Sequence, residues 1–252
     1  MRKIRKKPII AIAPIRYFDV NKTHNVTKIK RYIKKAKQAG AEIVCFPESC
    51  ISKKSCLRID DKYILAIQEE CKKQGIWCIV TEDLMIRNKP YNMSILIDRK
   101  GRIKGKYKKI NLYGDNVYPG NQVKVFKTDF AKIGIVICWD LTFPYLFEAM
   151  KAKGAEIVFC PSMWWYDLKS HKSKHKKREL ALLRALLLAR AYENIFFVAL
   201  CNPLVDSKYQ ISYSAIASPH SIIKELVDEE GLVSAEINLN EIRKFREFYE
   251  KK

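Results

Sequence analysis

The chain has 252 residues, 48% of them hydrophobic and 30% charged. That is enough apolar material for a sizeable core, which excludes a disordered or fibrous chain and favours one large α/β or all-β domain. Lys and Arg number 48 against 27 Asp and Glu, a formal net charge of +21. Such a field attracts anionic substrates, membranes or nucleic acid without by itself fixing a partner.

Arg2, Lys3, Arg5, Lys6 and Lys7 precede an apolar run from Pro8 to Ile15. The run is short, opens on Pro and nearly closes on Pro14, so it reads as a buried first strand rather than a secretory signal. No stretch approaches the ~18 apolar residues of a membrane span, and a soluble protein is expected. Val26 to Gln38 follows as a helix, with Val26, Ile29, Ile33 and Ala36 on one face and Asn25 as N-cap. Gly40-Ala41-Glu42-Ile43-Val44 then opens a second buried strand ending in Cys45-Phe46-Pro47-Glu48. Asp61 to Gln74 reads as a helix and Ile76 to Thr81 as a strand. Asn92 to Ile97 and Arg102 to Tyr107 make a hairpin around Asp98-Arg99-Lys100-Gly101.

The opening pattern then recurs. An apolar run, Ile133 to Cys138, leads into a helix, Phe143 to Lys153, and Gly154-Ala155-Glu156-Ile157-Val158 repeats the earlier pentapeptide, with Pro161 matching Pro47. Two β-α-β units predict two similar layers related by a pseudo-twofold within a single domain, residues 1–252. Arg178 to Asn194 is a helix with Leu180, Leu183 and Leu187 on one face, and Ile195 to Leu200 is another buried strand. Three more strands, Tyr213 to Ala217, Ile222 to Val227 and Leu232 to Ile237, precede a charged helix from about Asn240.

Eight cysteines form no CxxC pair, and five of them lie in or beside apolar runs. Reduced thiols packed as small hydrophobes, and a cytoplasmic location, are expected. His171 and His175 have i,i+4 spacing but sit in a lysine run without a carboxylate or Cys partner. No metal and no cofactor are expected.

Carboxyl ends of buried strands are where functional side chains gather. Three such places carry chemistry: Glu48 after Phe46-Pro47, Lys109 after Tyr107-Lys108, and Cys138 before Trp139-Asp140. They supply a base, a cation and a nucleophile. Each alone reads as an ordinary strand-end charge or packed thiol.

Together they resemble the nitrilase superfamily of carbon–nitrogen hydrolases, from about Ile9 to about Phe248. The motifs stand here as Phe46-Pro47-Glu48, Tyr107-Lys108-Lys109-Ile110-Asn111-Leu112, Cys138-Trp139-Asp140-Leu141-Thr142-Phe143-Pro144 and Ala189-Arg190-Ala191-Tyr192-Glu193-Asn194. The resemblance implies an α-β-β-α sandwich of two sheets packed face to face with helices outside. It also implies Glu48 as general base, Lys109 as cationic stabiliser and Cys138 as nucleophile. Members of the family usually carry a second Glu after the Lys. Here only Asp115 is available, in the short segment Gly114 to Gly120.

The expected activity is thiol-dependent hydrolysis of a non-peptide C–N bond in a small amide or carbamoyl compound. An acyltransferase using the same thioester is the alternative. A nucleic-acid-binding protein that kept the fold is a third reading, supported by charge alone and opposed by the intact trio. Lys109 is expected to favour the Cys138 thiolate. Trp139, Asp115, Trp164 and Trp165 are the candidate substrate-binding residues, and Trp164 and Trp165 serve equally as packing or dimer contacts. The basic run Lys169 to Arg178 reads as a solvated helix entrance. A homodimer or larger homo-oligomer is expected, with no membrane partner.

Overall fold

The computed structural model describes residues 7–16, 21–52, 55–164, 175–204 and 211–250. The elements run β1 (Ile9–Ile12), α1 (Lys22–Gln38), β2 (Ile43–Glu48), α2 (Lys62–Gln74), β3 (Trp77–Ile86), β4 (Lys89–Ile97) and β5 (Ile103–Lys108). They continue as β6 (Val125–Lys127), β7 (Lys132–Ile135), a 3-10 turn (Cys138–Thr142), α3 (Pro144–Ala152), β8 (Ile157–Pro161) and α4 (Lys176–Asn194). The chain closes with β9 (Phe197–Cys201), β10 (Tyr213–Ala217), β11 (Ile222–Val227), β12 (Val233–Glu236) and α5 (Leu239–Glu250).

The echo in the sequence is an echo in topology. One sheet has the order β12-β1-β2-β3-β4-β5 and the other, read from its opposite edge, β6-β7-β8-β9-β10-β11. The pairings match position by position. β1, β2 and β3 are mutually parallel neighbours, as are β7, β8 and β9, and the remaining pairs in both sheets are antiparallel. Gly40 and Gly154 end the equivalent helices α1 and α3 at the same positive φ, 78°.

Alternation along the parallel strands sorts side chains into three apolar layers. Ile10, Ile12, Ile43, Cys45 and Ile79 of one sheet meet Ile133, Ile135, Ile157, Phe159 and Phe197 of the other between the sheets. The opposite face of the first sheet, through Val44, Phe46 and Val80, packs on Ile29 and Ile33 of α1 and Ile64 and Ile67 of α2. That of the second, through Val158, Cys160 and Val198, packs on Phe147 of α3 and Leu183 and Leu187 of α4. Burial of each such side chain contributes about 1.5–3 kcal/mol. The result is the α-β-β-α sandwich that the motifs implied.

Three local expectations need correcting. Helix α1 begins four residues early: Asn21, whose Oδ1 accepts the His24 N–H, is the N-cap. Asn25 is buried inside the helix and donates to the Ile51 carbonyl at 3.0 Å. Strand β3 does not stop at Thr81 but runs on to pair with β4 down to Ile86 and Lys89, across a tight turn at Arg87 and Asn88, both at positive φ. The run toward Cys138 leaves the strand at Ile135, so Cys138 opens a turn instead of ending a strand.

A side chain at φ 78° is strained in either echoed unit. Gly40→Ala and Gly154→Ala should each lower stability by about 1–2 kcal/mol. Denaturant unfolding that shows no loss at either position would contradict the shared helix-end geometry.

Candidate active site

Register places the site. On β3, β4 and β5, Thr81, Ser94 and Tyr107 are cross-strand partners. One step outward the row is Asp83, Asn92 and Lys109, with the Lys109 N–H donating to the Asn92 carbonyl at 2.9 Å. Neighbouring residues on a strand face opposite ways. Lys109 therefore turns inward and is 2% exposed, while Lys108 lays its Nζ over the Tyr91 ring, 3.2 Å from the centroid. Glu48, at the end of β2 and in register with Thr81, is 4% exposed.

Lys109 joins two acids. Its Nζ donates to Glu48 Oε1 at 3.1 Å and pairs with Asp115 Oδ2 at 2.8 Å. The other Glu48 oxygen accepts the Met163 N–H at 3.1 Å. Asp115 also takes the Tyr113 N–H, which folds its short loop over the lysine.

Cys138 sits at φ 47°, a conformation uncommon for any residue but Gly, and one often stored at reactive sites. Asp140, wholly buried, holds this turn. Its carboxylate accepts the Tyr107 hydroxyl at 2.7 Å, the Asn111 N–H at 2.8 Å and side-chain amide at 3.1 Å, and the Ile137 N–H at 3.1 Å. Arg190 holds the far end, donating to the carbonyls of Leu141 at 3.1 Å and Thr142 at 3.3 Å. Both residues stand in motifs visible in the sequence, but their partners come from distant segments, which no local pattern reveals. The echo also carries Glu48 onto Ser162, not onto Cys138. The Ser162 carbonyl accepts the Glu48 N–H at 3.3 Å, and its buried hydroxyl lies beside the thiol.

Burial raises the Glu48 carboxyl above its ordinary range, with Lys109 and a hydrogen bond from the Cys138 thiol pulling the other way. Burial alone would lower the Lys109 ammonium, but Glu48, Cys138 and Asp115 together hold it well above the usual lysine range. Burial and the Glu48 charge push the Cys138 thiol up to about 12, against the opposing pull of Lys109, Ser162 and the Met163 N–H. These influences favour the protonated thiol at Cys138, beside the Glu48 carboxyl. The expected thiolate is outweighed because desolvation and a carboxylate act on the same sulfur.

Trp139 stacks between Tyr113, at 4.6 Å between ring centroids, and Trp164, at 5.8 Å. Trp164 is 4% exposed, with its indole N–H on Glu179 at 2.8 Å, so it backs the wall and offers no surface to a partner chain. Trp165, His171 and most of the basic run Lys169 to Arg178 lie outside the described residues. Among the described residues no group of three His, Cys, Asp or Glu is placed to hold a metal ion, and no helix is long and apolar enough to cross a membrane.

A two-sheet sandwich carries a thiol, a buried carboxyl and a buried ammonium at one rim, and comparison with known proteins gives the family. The carbon-nitrogen hydrolase model matches residues 9–247, and the chain belongs to that family. It is an enzyme of the type that cleaves C–N bonds other than peptide bonds. Omega-amidase NIT2 of Xenopus tropicalis is 27% identical over 90% of this chain and 87% of its own. N-carbamoylputrescine amidase of Solanum tuberosum is 31% identical over 55% of this chain and 53% of its own. Among solved structures, an amidase variant from Nesterenkonia sp. AN1 superposes with a TM-score of 0.82 at 21% identity, covering 98% of this chain and 97% of that one. That structure shows covalent addition of the acetamide moiety of fluoroacetamide at its active site cysteine.

Asp140→Asn places an NH2 group against buried donors and should cost roughly 2–3 kcal/mol. A lowered melting temperature together with slower alkylation of Cys138 is the expected outcome. Unchanged values of both would mean that the carboxylate does not hold the turn.

Proposed function

We propose that the protein hydrolyses a small amide or carbamoyl compound through a thioester on Cys138, with Glu48 as base and Lys109 as oxyanion stabiliser. The observation that carries this reading is the buried Lys109 ammonium, 3.1 Å from Glu48 Oε1 and 2.8 Å from Asp115 Oδ2, with the Glu48 carboxyl beside the Cys138 thiol. A neutral thiol next to an ionised carboxylate is ready for concerted deprotonation and attack.

In the first half-reaction Glu48 takes the thiol proton as sulfur bonds to the carbonyl carbon, and the C=O electron pair moves onto oxygen. The oxyanion lies against the Lys109 ammonium and the Trp139 N–H. Such a donor commonly contributes ~3 kcal/mol to the barrier reduction. As the C–N bond breaks, Glu48 returns the proton to the departing nitrogen. In the second half Glu48 takes a proton from water as its oxygen bonds to the thioester carbon, the C–S bond breaks, and Glu48 returns the proton to the departing Cys138 sulfur, leaving a carboxylic or carbamic acid. Asp115 keeps the ammonium in place and Trp139 lines the entrance. The cysteine adduct in the Nesterenkonia amidase is chemistry of the same kind in the same fold, and relatives named omega-amidase and N-carbamoylputrescine amidase support a substrate of this kind.

The reading includes a cytoplasmic setting, which suits eight free cysteines. It also includes self-association through the exposed Tyr145, Leu182, Tyr192, Phe248 and Tyr249 on α3, α4 and α5.

Glu48→Gln keeps the shape and removes the base. Challenged with a reactive ester, this variant should accumulate an acyl adduct on the Cys138 peptide by mass spectrometry, and should sediment as a dimer or larger. An adduct on Cys50 or Cys160 instead, or unchanged amide turnover by Cys138→Ala, would sink the mechanism. Sedimentation as a monomer would remove the self-association.

A further inference from the structure

Asp83 shares the cross-strand row with Lys109, with Asn92 between them, and the chemistry above gives it no task. It is half-buried, and its hydrogen bond is to the Asn92 Nδ2, which donates to Asp83 Oδ1 at 3.0 Å. Among the described residues no Lys, Arg or His stands within ion-pair distance of this carboxylate. In a chain with 48 Lys and Arg against 27 Asp and Glu, that isolation is informative. Other partly buried acids here have their cation: Glu42 and Asp129 share Arg99, and Glu230 has Lys28 and Arg31. Glu82, the next residue and more deeply buried, is served by the backbone N–H groups of Ile51 and Ser52. A partly desolvated carboxylate with one neutral donor, and with the Lys109 charge acting on it only from beyond ion-pair distance, is incomplete as it stands.

A second observation points the same way. Asn92 is 3% exposed, and donation to Asp83 fixes which way its amide faces. Its Oδ1 is then buried with no hydrogen-bond partner, an uncommon condition for a buried polar atom. The row thus presents one free carboxylate oxygen and one free amide oxygen, both acceptors. Around them Glu48, Asp83 and Asp115 are set against the single ammonium of Lys109. Burial and the neighbouring Asp115 raise the Asp83 carboxyl above its usual range, against the opposing pull of the Asn92 amide and the Lys109 charge. An alkylammonium brings one positive charge and three donors to this pair of acceptors.

We propose that Asp83, with Asn92 Oδ1, determines specificity by binding an ammonium group on the substrate, at the end away from the scissile carbonyl. The preferred substrates are then small amides or carbamoyl compounds that carry a protonated primary amine. The proposal rests on the reading of Cys138 as the nucleophile of a small-amide hydrolase. Adjacent strands lie ~4.8 Å apart, so Asp83 and Lys109, two strands apart, are separated by roughly 10 Å along the sheet. A chain of a few methylenes bridges the reacting carbon and Asp83.

The test uses a matched set of five-carbon amides: the ω-ammonium amide, the neutral amide and the ω-carboxylate amide. In the wild type the ammonium amide should exceed the carboxylate amide in kcat/KM by about tenfold or more, the effect of one charge-assisted contact. The preference should lie in KM, collapse in Asp83→Asn and return in part in Asp83→Glu. Equal kcat/KM for the two charged amides in the wild type, or a preference that survives in Asp83→Asn, would overturn it. Calorimetric titration of pentylammonium into Cys138→Ala, with and without Asp83→Asn, reads the same site without turnover. Binding that disappears with Asp83→Asn supports the proposal, and binding that is absent from both or equal in both refutes it. Failure to turn over any amide would instead strike the proposed mechanism, leaving the titration to decide the role of Asp83.

Discussion

A lysine ammonium held between Glu48 and Asp115, almost out of reach of water, is the interaction on which the rest of the site depends. Burying a charge is expensive unless partners and hydrogen bonds replace its hydration. Here two carboxylates from different segments do so, one at a strand end and one on a short loop. Their attraction fixes the inward face of β5, brings Asp115 over the cleft and keeps one Glu48 oxygen occupied. The other Glu48 oxygen is held by the Met163 N–H, contributed by the opposite sheet. The Glu48 carboxylate is therefore oriented from both layers of the sandwich, and it is the contact between the layers that assembles the rim.

Cys138 obeys a different constraint. Its positive φ lifts the thiol out of the line of β7, and a backbone so placed persists only where its surroundings hold it. Asp140 gathers donors from Tyr107 and Asn111, which flank Lys109 in sequence, so the segment that positions the ammonium also positions the thiol. Arg190, reaching in from α4, fixes the other end. Geometry and electrostatics then act together. In the proposed mechanism the carboxylate that raises the thiol's pKa is also the group that removes its proton, so nucleophilicity appears only when a carbonyl is present to receive the sulfur.

Much of this was legible in the residues. The repeated pentapeptide with its shared flanks foretold two equivalent sheets, because the same apolar periodicity has one way to bury itself twice. Alternation allowed only one of Lys108 and Lys109 to face the cleft, and the family motif pointed to Lys109. What stayed hidden was long-range. Glu82 and Asp83 interrupt an apolar run and so conceal that β3 continues, since one is buried by backbone partners and the other faces the cleft. The Arg87-Asn88 turn lacks the Gly that usually announces a hairpin. Asn21 and Asn25 are the same residue type one helical turn apart, and only the loop around Ile51 decides which of them caps the helix. The charge of +21 gave no sign of a cleft where carboxylates outnumber cations.

The most direct test of the central claim is the pH dependence of kcat/KM in the wild type and in Asp115→Asn. The acidic limb reports protonation of the essential base in the free enzyme, as a property of the coupled cluster. Asp115 raises the Glu48 carboxyl by its negative charge, and Lys109 lowers it. Removing the Asp115 charge takes away the first influence and leaves the ammonium wholly to Glu48. The account predicts that the acidic limb moves to lower pH in Asp115→Asn; a limb that stays in place or moves to higher pH would contradict it.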